Sequence, residues 1–557
     1  MSGMANRDEL VFVPLGGLGE IGMNAALYGF GPAGKRHWIM VDCGVAFAGP
    51  ELPGVELMYA KMDFIETMKD NLRAIIITHA HEDHIGALPF VAQRFNCPVY
   101  MTQFAADLLA TRRLSEMDAE IEIRVSAPGR SIKAGPFEIE MVTAAHSIPE
   151  ATALAISTPA GVVVHTGDWK LDERPGVSWR TDEKRFRELG DAGVLTLICD
   201  STNILRDGVS PSEADVEARL FELIASAQNR VVVTTFASNV ARLAAVGRAA
   251  KAAGRSVVLA GRSMERVSLV ARELGYLDGV PDFLPVDSFG NLPRDKIVIL
   301  ATGSQGEPRA ALARIAEDAH PRARLAPGDR VIFSSRPIPG NEKAINGIIN
   351  GLTRQGIEVI TDRDGLVHVS GHPRRSEVEQ MYRWLRPQIA IPAHGEAVHL
   401  AGHENFARAQ GVPHVIKPSN GDAVLLWPDG PVIVDQVPHG RTLLDGNIAV
   451  DANDPALRER RGLAFAGVVS VAVAITARGE LAGDPYVMME GIPARASDGR
   501  SMDSIVDDAI FETLDSLPRA RRRDADSVAS ALERAIRNTL RTIWGKRPKV
   551  HALVVEV

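Results

Sequence analysis

IIITHAHEDHIGALPF, residues 75–90, sets three histidines and two acids within six positions, between an apolar run and the start of a helical pattern. His79, His81, Glu82, Asp83 and His84 in one turn compete for protons and repel one another when charged. A positive charge among them relieves both problems, and a pair of divalent metal ions fits. His79 and His81 lie two apart and can face one metal from a loop. Asp83 and His84 open the following helix and can turn toward a second. Neutral imidazoles with an ionised carboxylate suit Zn²⁺ and also accept Mn²⁺. A polar cluster on a solvated turn is the plainer reading. With only 15 histidines among 557 residues, chance clustering accounts for it poorly.

The surrounding two hundred residues alternate short apolar runs with turn residues. LVFVPLG, HWIMVDCG, RAIIITHA, CPVYMT, FEIEMVTAAH, GVVVHTGDW and VLTLICDS read as strands, and IGALPFVAQRF and FAADLLATRRL as helices. Polar chemistry recurs where the strands end, at Asp42, His79, His146, Asp168 and Asp200. Layered α/β proteins build sites there because their loops converge on one edge. A carboxylate at Asp168 could bridge two ions, and His394 in IPAHGE could complete the second. Singly, each of these is a weak signal; as an ordered series they support the first motif.

From about 205 to 350 amphipathic helices alternate with the buried strands RVVVTTF, RSVVLAG, KIVILATGS and DRVIFSS, which predicts a parallel sheet. Strand-end chemistry then resumes with HVSGH at 368–372 and AIPAHGE at 390–396. A site that stops, yields to another domain and resumes predicts an insertion. The expected organisation is a first domain over 1–205 and 356–449, an inserted domain over 206–355, a polar linker at 450–462 and a small α/β domain at 463–557. In that last domain, helices are expected at 503–515 and 524–544. Val528, Leu532, Ile536 and Leu540 recur every fourth residue of the second as an apolar stripe, either a contact for a second copy or a face packed on the closing strand KVHALVVEV.

The length predicts about three or four units, and 45% hydrophobic with 24% charged residues is the balance of a folded soluble protein. A formal net charge of −8 means that any nucleic-acid partner is held by a local basic surface. Cys43, Cys97 and Cys199 form no CxxC pair, as expected in a reducing cytoplasm. The start MSGMANRDELVFVPLGG has no apolar core of signal-peptide length, and runs such as GVVSVAVAI are too short to span a bilayer. The expectation is a cytoplasmic protein with no membrane segment.

THAHEDHIG, AAHSIP and TGDWK resemble the metallo-β-lactamase superfamily. CDSTN at 199–203, HVSGH and PAHGE resemble its nucleic-acid-processing branch with the β-CASP insertion. PLGGLGEIGMN at 14–24 and the C-terminal domain narrow the resemblance to the ribonuclease J family. It covers essentially the whole chain. It implies an αββα sandwich with an inserted parallel-sheet β-CASP domain. It also implies a first metal on His79, His81 and His146, a second on Asp83, His84 and His394, and Asp168 between them. Asp42 matches the strand-end Asp behind the ligands, Asp200 an acid that orients a histidine, and His165 is a neighbour of the site. His372 matches a general acid, so Asp83, Asp168, Asp200 and His372 stand closest to the chemistry. TFASN at 235–239 matches the strand end that binds a substrate phosphate, which makes Ala237, Ser238 and Asn239 candidates. His368, Val369, Ser370, Gly371 and His372 are candidates on the facing loop. The family pattern has His after the Ser, and here Asn239 stands instead, with Ala241 where a second His would fall.

The implied activity is metal-dependent hydrolysis of RNA, in its processing and decay, by a water activated between two metals. The resemblance implies 5′-to-3′ exonuclease and also endonuclease action, leaving 5′-phosphates. Zn²⁺ is the expected metal, with Mn²⁺ or Mg²⁺ as alternatives. The expected partners are single-stranded RNA, preferably 5′-monophosphorylated, a homodimer or homotetramer, and an RNA-decay complex. The competing readings are a small-substrate hydrolase of the same superfamily, which needs no 150-residue insertion, and an RNA-binding scaffold without catalysis, which needs no complete ligand set.

Overall fold

Alternation of Val- and Ile-rich runs with turn residues builds sheets, and in the computed structural model these form two mixed sheets packed face to face. Residues 7–116, 121–338 and 340–557 are described, without the side chains of 113–116. The first six residues of the start read above as leaderless lie outside them. One sheet runs through Asp8–Gly16, Ala25–Pro32, His37–Val41 and Leu72–Ile76, the other through Phe137–Thr143, Thr152–Thr158, Gly161–His165, Thr196–Asp200 and Ile389–Ala393. Leu10, Phe12, Tyr28, Ile39, Ile76, Ile139, Leu154 and Ile391 fill the layer between them. The outer face of the second sheet is covered by Phe186, Leu189, Val378, Met381 and Trp384, from the helices Glu183–Ala192 and Arg375–Leu385.

The strands Thr196–Asp200 and Ile389–Ala393 are parallel neighbours, with Asp200 opposite Ala393. Between them the chain forms a six-stranded sheet whose pairings are all parallel. The insertion therefore leaves and returns at one edge, placing Asp200 and His394 side by side. These elements belong to one compact unit, residues 1–46 and 59–441.

A second unit comprises Phe47–Met58 and Thr442–Val557. Its strand Val468–Ile475 pairs in parallel with Lys549–Glu556 and antiparallel with Tyr486–Glu490. Helices Met502–Ser516 and Ala525–Trp544 cover one face. Val528, Leu532, Ile536 and Leu540 are each 0% exposed within this unit's own core, against Val469, Val471 and Ile510. The stripe is thus satisfied internally and is not a surface for a second copy. The stretch 450–462 is not an extended tether: a helix begins at Pro455, capped by Asp454, and runs to Ala466 with Leu457 buried. Its charged residues face solvent, which gives it the composition of a linker.

Helix predictions in the insertion hold at Glu213–Ser226, Val240–Ala252, Arg262–Glu273 and Glu342–Arg354. The helix expected over IGALPFVAQRF is instead broken into Glu82–Ile85, Leu88–Val91 and a 3₁₀ turn at Ala92–Arg94. Pro89 lies in the first turn of the second piece, where its missing N–H costs nothing, so the chain restarts there. Among the described residues no helix is long and apolar enough to cross a membrane.

Candidate metal centre

His79 and His81 leave the strand Leu72–Ile76 on a loop, and His81 caps the short helix Glu82–Ile85 that carries Asp83 and His84. Gly44 makes this approach possible, since a Cβ there would lie 1.7 Å from the Asp83 carbonyl oxygen. His146, Asp168 and His394 arrive from strands of the second sheet. Two groups form around Asp168: His79, His81 and His146 on one side, and Asp83, His84 and His394 on the other. Within each group the ligand atoms lie within 4.8 Å of one another. Asp168 Oδ2 is 3.7 Å from His79 Nε2 and 3.6 Å from His146 Nε2. Its Oδ1 is 3.3 Å from His84 Nε2 and 3.5 Å from His394 Nε2. One carboxylate therefore presents a different oxygen to each group.

The donor set fits metal ions. Thr78 Oγ1 donates to Asp42 at 2.9 Å, so it accepts from His79 Nδ1 at 3.0 Å and leaves the His79 Nε2 lone pair free. His146 Nδ1 donates to the Gly371 carbonyl at 2.7 Å, which frees its Nε2 likewise. Both free nitrogens point at His81 Nδ1, each at 3.1 Å. With the His81 proton on Nε2, toward Ser238 Oγ, three lone pairs face one another at this range, an arrangement that a cation between them satisfies. Tetrahedral bonds of about 2.0–2.1 Å to imidazole place neighbouring ligand atoms about 3.3 Å apart, close to what is seen. In the other group, Asp168 Oδ1 and His394 Nε2 are buried with no hydrogen-bond partner. Both atoms are therefore available to ligate a cation.

The electrostatics agree. Burial, with the neighbouring imidazoles, holds His79 and His146 well below the ordinary histidine value, and burial pushes His81 down to about 4. These rings stay neutral and able to ligate. Burial also opposes a charge on His84, but the carboxylates of Asp168, Asp83 and Asp42 outweigh it and raise that ring. Crowded carboxylates demand a positive charge there. Asp42 accepts from His84 Nδ1 at 2.7 Å and fixes its ring. Asp42 and His394 both adopt left-handed backbone, φ +61° and +50°, strain of the kind found where geometry is held for function.

His372 stands at the edge. Its Nδ1 lies 2.8 Å from Asp200 Oδ2, and the Asp200 and Asp168 carboxylates overcome burial to raise it to about 9. Gly371 lies against His146, where a Cβ would come 2.5 Å from the ring. Asn203 holds this loop by donating to Ser370 Oγ at 2.9 Å and to the His372 carbonyl at 3.1 Å. Across the cleft, Ser238 Oγ is 3.0 Å from His81 Nε2. Val369 is buried, and the buried His368 Nδ1 has no partner. Ala237 is half-buried beside Ser238. The Asn239 side chain does not face the cleft. It caps the helix Val240–Ala252, accepting from Arg242 N at 2.9 Å, and donates to Glu213 at 3.4 Å. Any part it takes in holding a phosphate falls to its backbone rather than to this committed side chain. His165 bonds the Tyr28 hydroxyl at 2.8 Å behind the site.

Two residues in the centre, Asn203 and Asn24, close the motifs CDSTN and PLGGLGEIGMN but were not singled out as site residues. Asn24 touches Asp83, His84 and His394. Only its place at the end of the glycine-rich run PLGGLGEIGMN points to it.

The metallo-beta-lactamase superfamily profile matches residues 24–171. The profile for the ribonuclease J beta-CASP domain matches 228–352, that for the Zn-dependent metallo-hydrolase RNA specificity domain 356–418, and that for the ribonuclease J C-terminal domain 455–557. Ribonuclease J of Sinorhizobium meliloti is 51% identical over 100% of this chain and 98% of its own length. Ribonuclease J of Mycolicibacterium smegmatis is 38% identical over 98% and 96%, and that of Thermus thermophilus 34% over 93% and 94%. A crystal structure of a protein of unknown function from Enterococcus faecalis shares the fold, with TM-score 0.53 and 18% identity over 75% of this chain and 100% of that one. Matches along the whole length, joined to two ligand groups around one shared carboxylate, place the chain in the ribonuclease J family.

Proposed function

We propose that this chain, a metal-dependent ribonuclease of RNA processing, trims single-stranded RNA in the 5′-to-3′ direction from a 5′-monophosphorylated end, with endonucleolytic cleavage alongside. The convergence of five histidine rings and Asp83 on two points either side of Asp168 carries this reading. His79, His81, His146 and Asp168 would hold one ion, and Asp83, His84, Asp168 and His394 the other, with Zn²⁺ the best match to the donors and Mn²⁺ or Mg²⁺ the alternatives. Bound there, a pair of divalent ions supplies an acidified water and polarises a phosphoryl oxygen.

The chain's own residues do the rest. Asp200 accepts from His372 Nδ1 and so turns Nε2 outward. His372 is the group placed to give its Nε2 proton to the departing 3′ oxygen, and the downstream product keeps the 5′-phosphate. Ser238, His368, Ser370 and the Gly371 backbone are the groups suited to a terminal phosphate, with Ala237 and Val369 as the walls. Residues 1–205 and 356–449 form the catalytic domain in this reading, 206–355 the β-CASP wall of the RNA channel, and 463–557 a C-terminal domain. The cellular setting is the cytoplasm, as a homodimer or homotetramer within an RNA-decay complex.

The test is the product pattern. Chelated protein reloaded with Zn²⁺ or Mn²⁺ should release mononucleotides 5′-phosphates progressively from a 5′-monophosphorylated, 3′-labelled RNA. Restored cleavage that yields only internal fragments would remove the exonuclease reading. No restored cleavage with either metal would remove the two-metal reading.

A further inference from the structure

Asn24 touches three of the four proposed ligands around one metal position and none around the other. Its Oδ1 lies 3.0 Å from His394 Nδ1. Its Nδ2 donates to the Asp83 carbonyl at 3.0 Å and approaches Asp83 Oδ2 at 3.4 Å and His84 Nε2 at 3.0 Å. Its backbone is committed to the same loop: its N–H donates to the Asp83 carbonyl at 3.0 Å, and its carbonyl accepts from Gly44 N at 2.9 Å. The ring atoms of His79, His81 and His146 that face away from the centre go instead to Thr78, Ser238 and the Gly371 carbonyl. Thr78 and Asp42 stand behind both groups, through His79 and His84, whereas Asn24 touches one group alone.

The segment before Asn24 is shaped to deliver it. Leu18–Gly19 pairs in parallel with Gly395–Glu396, immediately after His394. Gly17, at φ +86°, leaves room that a Cβ would take, since it would lie 2.3 Å from Asn24 Oδ1. The glycine-rich loop therefore seats an amide against His394 and ties its own backbone to the next residues of that strand. An acceptor on Nδ1 keeps the proton there and leaves Nε2 as the lone pair. Support of this kind behind a metal ligand is worth about 10–100-fold in affinity.

We infer that Asn24 is a positioning residue for one metal only: it sets the affinity of the Asp83–His84–His394 position and leaves the His79–His81–His146 position unchanged. This rests on the two-ion reading of the site.

Calorimetric titration of the chelated full-length protein with Zn²⁺ tests it. The parent should take up two ions per chain. Asn24→Ala should bind one with the parental constant and the other about 10–100-fold more weakly. Loss of equal size at both positions, or no loss at either, overturns the inference. Fewer than two ions in the parent overturns the two-ion reading and this inference together. Should the variant not fold, the parent still decides: ¹⁵N spectra of its metal-free histidines should show His394 with the proton on Nδ1, and a proton on Nε2 overturns the assignment.

Discussion

His372 Nδ1 and Asp200 Oδ2 meet at 2.8 Å across 172 residues of sequence. The strand that ends in Asp200 is the last before the insertion, and the loop of His372 is the first chemistry after it. The pair therefore closes the site over the whole inserted domain. His372→Ala should lower kcat on RNA by about 10²–10⁴-fold, the usual worth of a general acid, and leave RNA affinity nearly unchanged. A purely weaker Kd in a filter-binding assay, with kcat retained, would make His372 a phosphate clamp instead. Asp200→Asn should give a smaller kcat loss in the same direction.

His81→Ala removes the ring on which two other lone pairs converge. Cleavage should be lost and bound metal should fall by one ion per chain, with the far-ultraviolet circular dichroism unchanged. A purified variant that cleaves at the parental rate would sink the ligand assignment.

Ser238 touches His81 from the inserted domain. If it helps grip a terminal phosphate, the parent should degrade 5′-monophosphorylated RNA faster than the triphosphorylated form. Ser238→Ala should narrow that ratio more than it slows internal cleavage. Equal narrowing of both activities would count against an end-binding role.

Acid should weaken the fold through His403. Its ring is buried between Ser201 Oγ, at 2.8 Å, and the Tyr382 hydroxyl, at 3.1 Å. Burial pushes it down to about 4. In the unfolded chain a histidine titrates near about 6.5, so between those values only the unfolded state takes the proton. The contribution to stability is complete above about pH 6.5 and shrinks as pH falls toward about 4, by at most about 3 kcal/mol. Urea unfolding at pH 7.5 and pH 5 should show a smaller acid loss for His403→Gln than for the parent. Identical losses would show that this ring does not contribute.

The apolar stripe of the last long helix gives a stability prediction. Leu532→Ala empties a fully buried position in the second unit and should cost about 2–5 kcal/mol there. Light scattering should show the oligomeric state unchanged. Dissociation without a fall in Tm would restore the stripe as a subunit contact.

The candidate ligands were legible because they follow strand ends, where a polar residue after a Val- and Ile-rich run stands out. The same contrast hid other elements. The strand Ala25–Pro32 carries Gly29, whose missing side chain makes room for the Trp38 ring at 2.6 Å from a Cβ position, and a glycine there reads as a turn. The strand Thr152–Thr158 is rich in alanine, which has weak strand preference, and is held by its neighbours on both sides. The capping role of the Asn239 side chain was not legible, because whether a side chain turns outward or caps its own helix is decided by the φ and ψ of the turn. The course of the helical stripe was undecidable from periodicity, since a face buried in its own domain and one buried in a partner share one pattern.

Asn24 and His394 are 370 residues apart, yet one hydrogen bond joins them. At about 5–20 residues per second, a ribosome needs roughly 20–75 seconds to pass from one to the other. Throughout that time the growing chain lacks a complete second ligand group, because His394 has not been made. If cleavage needs both ligand groups, a chain that ends before His394 should not cleave RNA, which purified truncations would show.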